Sequence, residues 1–295
     1  MTGPTPPSLL SPSSPGAHPA SSDSSLSGST IRRTLELGFR RVRIELLALV
    51  RNPLAVVFTL AFPLVMLGIF GSVFSGAVAP GVSFTEYFTA GMIASGAFYA
   101  GFQNLGIAVP LERDNGSLKR LRGTPMPPAA YFVGKTGMVL VVYMAQVAIL
   151  IGLGSALFGL HPPASLGRWV TFAWVSLLGL AACSLSGLAL SGLIRRSEAA
   201  AAIVSPIVVV LQFVSGVYFQ YNLLPGWMRS VGSFFPLRWL ALGMRSVFLP
   251  AGFARLEPGG GGWQHGTTAL VLLGWAVAAL AVASWRFRWF REQRS

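Results

Sequence analysis

The sequence predicts an all-α integral membrane protein of six transmembrane helices. Three observations point there. Of 295 residues, 53% are hydrophobic and only 11% are charged, where a soluble domain carries about 25% charged residues. Several uncharged runs exceed the roughly 18 residues that mark a membrane-spanning helix. The 22 bases cluster outside those runs. The net charge of +13 therefore fits bases that flank membrane helices and face anionic headgroups, and no nucleic-acid partner is expected. The predominance of Arg over Lys, with abundant Ala, Gly and Pro, fits a GC-rich bacterial genome. The single cysteine, Cys183, excludes an intrachain disulfide and reads as a small packing residue.

Residues 1–30 hold ten Ser, six Pro and three Gly, with no Lys or Arg and no apolar stretch of signal-peptide type. Such a segment buries too little apolar surface to order itself, so disorder is expected. Residues 31–51 repeat apolar groups at Ile31, Leu35, Phe39, Val42, Leu46 and Leu49 among six Arg and two Glu. Spacings of three and four predict one helical face, and hence an amphipathic helix in the membrane interface.

The six-helix domain is expected over 52–290, with spans near 53–74, 86–109, 134–160, 168–194, 199–219 and 267–285. Pro63 and Pro206 fall inside spans, as is tolerated where neighbouring groups re-satisfy the backbone. In the fourth span Gly179, Cys183, Gly187 and Ser191 recur every four residues, a ladder that lets another helix approach closely. The outer segment 220–266 is too apolar to float in water and too broken to span. Short re-entrant helices are expected within it, with Arg238 and Arg245 reaching headgroups or external water.

Charge sets the orientation. Seventeen bases fall on the face that holds both termini and the 110–128 loop, and five on the other. The positive-inside rule puts both termini in the cytoplasm.

No energy source is visible in the chain. None of the nine acids lies at mid-depth of a span and the three His are in the tail or loops, whereas ion-coupled carriers commonly use ionisable groups within spans. Ala129–Thr136, AAYFVGKT, ends like a phosphate loop but has Ala where the first Gly belongs. A Pro-rich loop lies behind it, where the motif needs a strand. Lys135 is read instead as snorkelling at the foot of the third span. The uncharged polar residues within spans, Gln103, Asn104, Gln146 and Gln212, are either hydrogen-bonded between helices or facing a wet cavity.

The stretch Leu111–Pro128, LERDNGSLKRLRGTPMPP, is a short charged island between apolar segments, and its residues 112–122 carry two acids and four bases. It resembles the cytoplasmic loop of the type-2 permeases of ABC exporters, a family that includes drug-resistance permeases (the daunorubicin-resistance type among them) and polysaccharide permeases. Glu112, Gly116-Ser117-Leu118, Arg120-Leu121, Thr124-Pro125 and Gly134-Lys135 carry the likeness, with Asp114 and Ser117 as mild departures. Ser215-Gly216-Val217, Leu224-Pro225-Gly226-Trp227, Phe235-Pro236-Leu237 and Arg245 extend it.

The resemblance implies a permease that works as a dimer with two ATP-binding subunits on separate chains, in the bacterial inner membrane. ATP and Mg would be bound by the partner and no cofactor by this chain, which is no enzyme itself. It implies ATPase coupling through Glu112, Gly116, Leu118, Arg120 and Leu121, a pathway lined by the second and fifth spans with Asn104 and Gln212 as candidates, and an outer gate at Pro225, Trp227 and Pro236. Gln103 and Gln146 are further pathway candidates. An amphipathic drug, a lipid and a lipid-linked glycan all suit a broad, mostly apolar pathway. The rival reading is an ATP-independent channel or secondary carrier.

Overall fold

The computed structural model describes residues 23–74, 76–123, 128–259 and 261–289. The expected disorder of residues 1–22, the Thr124-Pro125 pair and the tail bases Arg291 and Arg294 lie outside the described residues, as do the side chains of Leu121, Arg122, Arg286 and Arg288. Over the described residues the fold is all-α apart from one small hairpin. Helix α1 spans Asp23–Val50 and α2 spans Pro53–Val73. The hairpin β1 (Ala77–Ala79) and β2 (Val82–Ser83) turns at Pro80-Gly81, where Gly81 has φ +75°, a left-handed conformation that a Cβ disfavours. Then follow α3 (Phe84–Phe98), a π-helical turn (Tyr99–Gln103), α4 (Asn104–Asp114) and α5 (Ser117–Arg122). Helices α6 (Pro128–Phe158), α7 (Leu166–Ser191) and α8 (Glu198–Val214) come next, then the short α9 (Gly226–Phe234) and α10 (Pro236–Phe248), and finally α11 (His265–Trp289).

Among the described residues, three helices are long and apolar enough to cross a membrane: Ala130–Phe158, Leu166–Ser191 and His265–Trp285. The apolar segments Leu60–Val73 and Glu198–Val214 are shorter. The outer face of α11 is apolar and uncovered, with Leu270, Val277 and Trp285 each at least 65% exposed. That suits a hydrocarbon solvent and would be unfavourable in water.

Helix α3 is the centre of the packing. All its residues except Glu86 are buried, and it touches α2, α6, α7 and α10. Its start is fixed locally. Ser83 Oγ accepts from the Glu86 amide at 3.2 Å, and Glu86 Oε2 accepts from the Ser83 amide at 2.9 Å, a reciprocal cap that satisfies two otherwise orphan donors. The second apolar segment thus begins at Phe84, and it remains helical through Asp114 by way of the π turn. Stacked rings of Phe70, Phe88 and Tyr218 join α2 and α3 to the segment after α8.

The small-residue ladder on α7 is used by two different neighbours. Gly179 lies under Leu240 of α10, and Gly187 lies against the backbone of Phe102 and Gly101 in the π turn. Helix α8 stops at Val214, earlier than expected, because Gly216 turns the chain at φ +71°.

Helix α1 departs most from expectation. It begins at Asp23, so residues 23–30, expected to be disordered, are helical. It docks on α6 through Gly38 against Val133, Gly134 against Arg41 and Gly137 against Val42. Leu46 and Leu49 pack on the core as the periodicity implies, but Phe39 is 69% exposed and the buried side also holds Gly38 and Glu45. Close glycine contact with α6 has set the orientation, in place of the apolar stripe alone.

The Gly187 contact is testable. A Cβ there would sit 2.6 Å from the Phe102 carbonyl oxygen. Gly187→Ala should destabilise the protein by about 1–3 kcal/mol, the usual cost of overpacking, seen as a lowered melting temperature in detergent. An unchanged melting temperature would refute the close approach of α7 to the π turn.

Candidate functional site

The charged island expected from the sequence does not stand apart from the helices. Glu112, in the last turn of α4, points to α6. Its Oε1 pairs with Lys135 Nζ, and its Oε2 accepts from the Tyr131 hydroxyl at 2.9 Å. Lys135 also donates to Glu45 Oε2 of α1 at 2.9 Å. Arg41, one turn before Glu45, has Nη2 2.6 Å from Glu45 Oε1, an ion pair whose angle falls outside hydrogen-bond geometry. The spacings Arg41–Glu45 and Tyr131–Lys135 are both i, i+4, so each helix presents its pair on one face.

This cluster ties three helices together. It holds two acids and two bases, and the Lys135 side chain is only 4% exposed. The snorkelling expected of Lys135 is therefore replaced by burial between two carboxylates. The physical reason is the presence of Glu45 and Glu112, which repay the ammonium's desolvation. Glu112, an acid in the last turn of α4, is disfavoured by its own helix dipole and depends on Lys135 for its counter-charge. Beside the cluster lies a cavity of about 370 Å³, bounded by buried Glu45 and by exposed Ile44 and Arg120.

The next two residues point the other way. Arg113 Nη2 donates to the carbonyls of Ile194 and Arg195 at 2.8 and 2.9 Å, just past the end of α7. Asp114 Oδ2 accepts from the Ser197 amide at 2.7 Å, at the start of α8. The Arg113 cation satisfies two carbonyls of the connecting turn, and the Asp114 anion sits on the amide that opens α8, where the helix dipole favours it. The Ser197 backbone amide, then its hydroxyl, and lastly Arg113 hold the Asp114 carboxyl below its usual value. This contact is therefore present at neutral pH and lost only when the pH falls through that lowered value.

Gly116 makes the turn into α5 with φ +71°. On α5, Leu118 is half-buried and Lys119 and Arg120 are exposed. The four amide candidates are spread along the spans. Gln103 and Asn104 are half-buried where the π turn meets α4. Gln146 lies against Gly96 of α3. Gln212 is fully buried, and neither of its amide atoms has a partner among the described residues.

A second polar cluster, missed in the sequence reading, lies at the opposite end. Arg238 and Arg245 of α10 are 4% and 0% exposed, and both pair with Glu257, at 2.7 and 3.3 Å. Their expected reach to headgroups or water is thus corrected. Arg245 also donates to the Gly216 carbonyl, and its guanidinium lies 3.9 Å over the Tyr87 ring, while Arg238 lies 3.7 Å over Tyr221. The Tyr221 amide donates to the Tyr87 hydroxyl at 3.1 Å. The available signal was Glu257, the one acid in the outer segment, with two Arg two helical turns apart on α10. Of the outer candidates, Pro225 caps α9, Pro236 opens α10 and Trp227 is 67% exposed.

A family model described as ABC-2 type transporter matches residues 41–249. The match takes in the inner cluster, α5 and α10. A Bacillus subtilis (strain 168) protein described as "Putative transport permease YvfS" is 23% identical over 196 residues, 65% of this chain and 77% of that protein.

Two stability predictions follow from the clusters. Lys135→Met leaves the carboxylates of buried Glu45 and half-buried Glu112 with Arg41 as the remaining cation of the cluster and should cost about 3–5 kcal/mol. Adding Glu112→Gln should cost less than the sum of the single changes, with a coupling of about 0.5–3 kcal/mol in a thermal-melt cycle. At the other end, Glu257→Gln leaves two buried guanidiniums without a counter-charge and should cost a similar 3–5 kcal/mol or so. Additive single effects, or a melting temperature indifferent to Glu257→Gln, would refute these assignments.

Proposed function

The chain belongs to the ABC-2 type transporter family, and from that premise we propose that it is the membrane-spanning permease of an ATP-driven exporter. Two copies form the pathway and work with two ATP-binding subunits on separate chains, in a bacterial inner membrane with both termini cytoplasmic. Six crossings come from α2, the α3–α4 run, α6, α7, α8 and α11, with α9 and α10 re-entering from outside.

The observation that carries this reading is the joining of α1, α4 and α6 by the Glu45–Lys135–Glu112 cluster, which shares a cavity with Ser117 and the exposed Arg120 of α5. A force applied to α5 has little slack to take up, since α5 follows α4 after one turn and α4 is tied to two further helices. That is the construction a coupling element needs to turn an outside push into rigid-body motion of spans. Glu112 supports this lever from within. The face offered to the motor comes from Leu118, Arg120 and their neighbours, with Gly116 setting the angle. The supporting chemistry matches an interface with a small apolar centre and a charged rim.

The test is purification of the chain from its native membrane in mild detergent, with quantification of what accompanies it. The wild type should bring an ATP-binding subunit in equal amount. Leu118→Asp with Arg120→Glu should lower that amount about tenfold or more, the effect of losing about 1.4 kcal/mol of binding, while the permease remains monodisperse. A pure permease without any ATP-binding subunit, active on an ion gradient alone in proteoliposomes, would overturn the reading in favour of a secondary carrier.

A further inference from the structure

The buried hydroxyls of the helices fall into two kinds. Thr89 donates to the Thr85 carbonyl, Ser186 to that of Ala182 and Ser191 to that of Leu188, each at 2.7 Å. Those three are satisfied within their own helices. Ser95 and Ser215 are fully buried too, yet their hydroxyls have no partner among the described residues. Gln212 joins them, with both amide atoms orphaned. Buried polar atoms are nearly always hydrogen-bonded, and an orphan carries a desolvation cost. These atoms need a partner that the helices themselves do not supply.

Packing contacts bring the three residues to one place. The α3–α4 run and α8 are antiparallel, because a Cβ on Gly106 would meet Val204 at 3.3 Å and one on Gly91 would meet the Val217 carbonyl oxygen at 3.0 Å. Ser95 follows Gly91 by about one helical turn on the same face of α3. On α8, Val204, Val208 and Gln212 recur every four residues and are all buried, so they share the face that meets α4 and α3. The Val217 amide donates to the Gln212 carbonyl at 3.1 Å, which puts Gln212 a turn below Val217, with Ser215 between them. Ser95, Gln212 and Ser215 thus share one level of the α3–α8 seam, just on the Gly106 side of the Gly91–Val217 contact.

We propose that these residues form a water-binding site, in which the Gln212 amide holds an ordered water that also bonds to Ser95 and Ser215 and so bridges α3 to the end of α8. The chemistry fits this ligand. A buried water makes about three hydrogen bonds, as donor and as acceptor, and a carboxamide with two hydroxyls offers both roles. All three side chains are uncharged, which suits a neutral ligand. Gln212 then serves the interior of a single copy, and the site does not depend on the permease reading. A water bridge is nearly as favourable as a direct hydrogen bond, but its water can exchange. The end of α8 can therefore shift along α3 and re-form the contact.

The test is radiolytic hydroxyl labelling of the full chain in nanodiscs, where radicals born from a bound water mark the side chains beside it, out of reach of bulk solvent. Leu211, next to Gln212, and Phe98, a turn from Ser95, are buried and should be labelled. Leu150 and Leu240 are equally buried and should not be. Gln212→Leu should abolish the labelling of Leu211 and Phe98, with the melting temperature unchanged or lowered, and Ser95→Ala should reduce it. Wild-type Leu211 and Phe98 as unlabelled as Leu150 and Leu240 would overturn the proposal. A raised melting temperature in Gln212→Leu would overturn it too, since loss of an unsatisfied buried amide is stabilising. Labelling that persists in Gln212→Leu would do the same, assigning the water to other groups.

Discussion

A buried ammonium held between two carboxylates fixes one end of this molecule. Lys135 reaches Glu45 on α1 and Glu112 on α4 from its own place on α6. Remove it and two acids face each other with only Arg41 nearby, in surroundings that solvate charge poorly. Val133, Arg41 and Val42 seated against Gly38, Gly134 and Gly137 bring α1 and α6 close together, but nothing in that contact reaches α4. A charge pair of fixed geometry makes that connection. The apolar core makes the fold stable, and the ion cluster gives it one arrangement at this end.

The opposite end is built on a similar rule with different parts. There a single carboxylate, Glu257, serves two guanidiniums, and the excess positive charge rests on the faces of Tyr87 and Tyr221. Cation–π contact is a reasonable substitute for a second acid where water is scarce. The result joins α3, the turn after α8 and α10. Between the two clusters the packing is mainly apolar, with isolated buried polar groups: the Tyr143 hydroxyl lies 3.3 Å from Ser176 Oγ and Gln146 lies against Gly96. The charged connections sit at the ends, and small residues and aromatic rings fill most of the middle.

The apolar segments were legible because their length and lack of charge permit little else, and short helices in the 220–266 segment were legible because it is too apolar for water and too broken to span. The small-residue ladder on α7 also read correctly as packing, although Gly179 and Gly187 serve different partners. What could not be read was which distant charges meet. Lys135, Arg238 and Arg245 each look like a residue at the edge of an apolar segment, and local pattern favours snorkelling for all three. Their burial depends on acids 90, 19 and 12 positions away, a distance that periodicity does not span. The hairpin at 77–83 and the Ser83–Glu86 cap were present as local signals, Pro-Gly and S-x-x-E, but were hidden by the apolar run around them. In the candidate site the loop itself was evident from composition. The inward direction of Glu112 and the attachment of Arg113 and Asp114 to the next loop were not.

The π turn at Tyr99–Gln103 changes how the long α3–α4 run must be indexed. A π turn accommodates one more residue than an α turn, and one residue is about 100° of helical rotation. A stripe of residues projected down from α3 on a single uninterrupted wheel thus arrives on the wrong side of α4. Glu112, Arg113 and Asp114 owe their directions to that phase slip: the extra residue sets which of them faces α6 and which faces the α7–α8 turn. Removing one residue within Tyr99–Gln103 would let the run close as unbroken α-helix with Glu112, Arg113 and Asp114 on their present sides, whereas removing one from a regular turn of α4 would rotate every contact below it out of register.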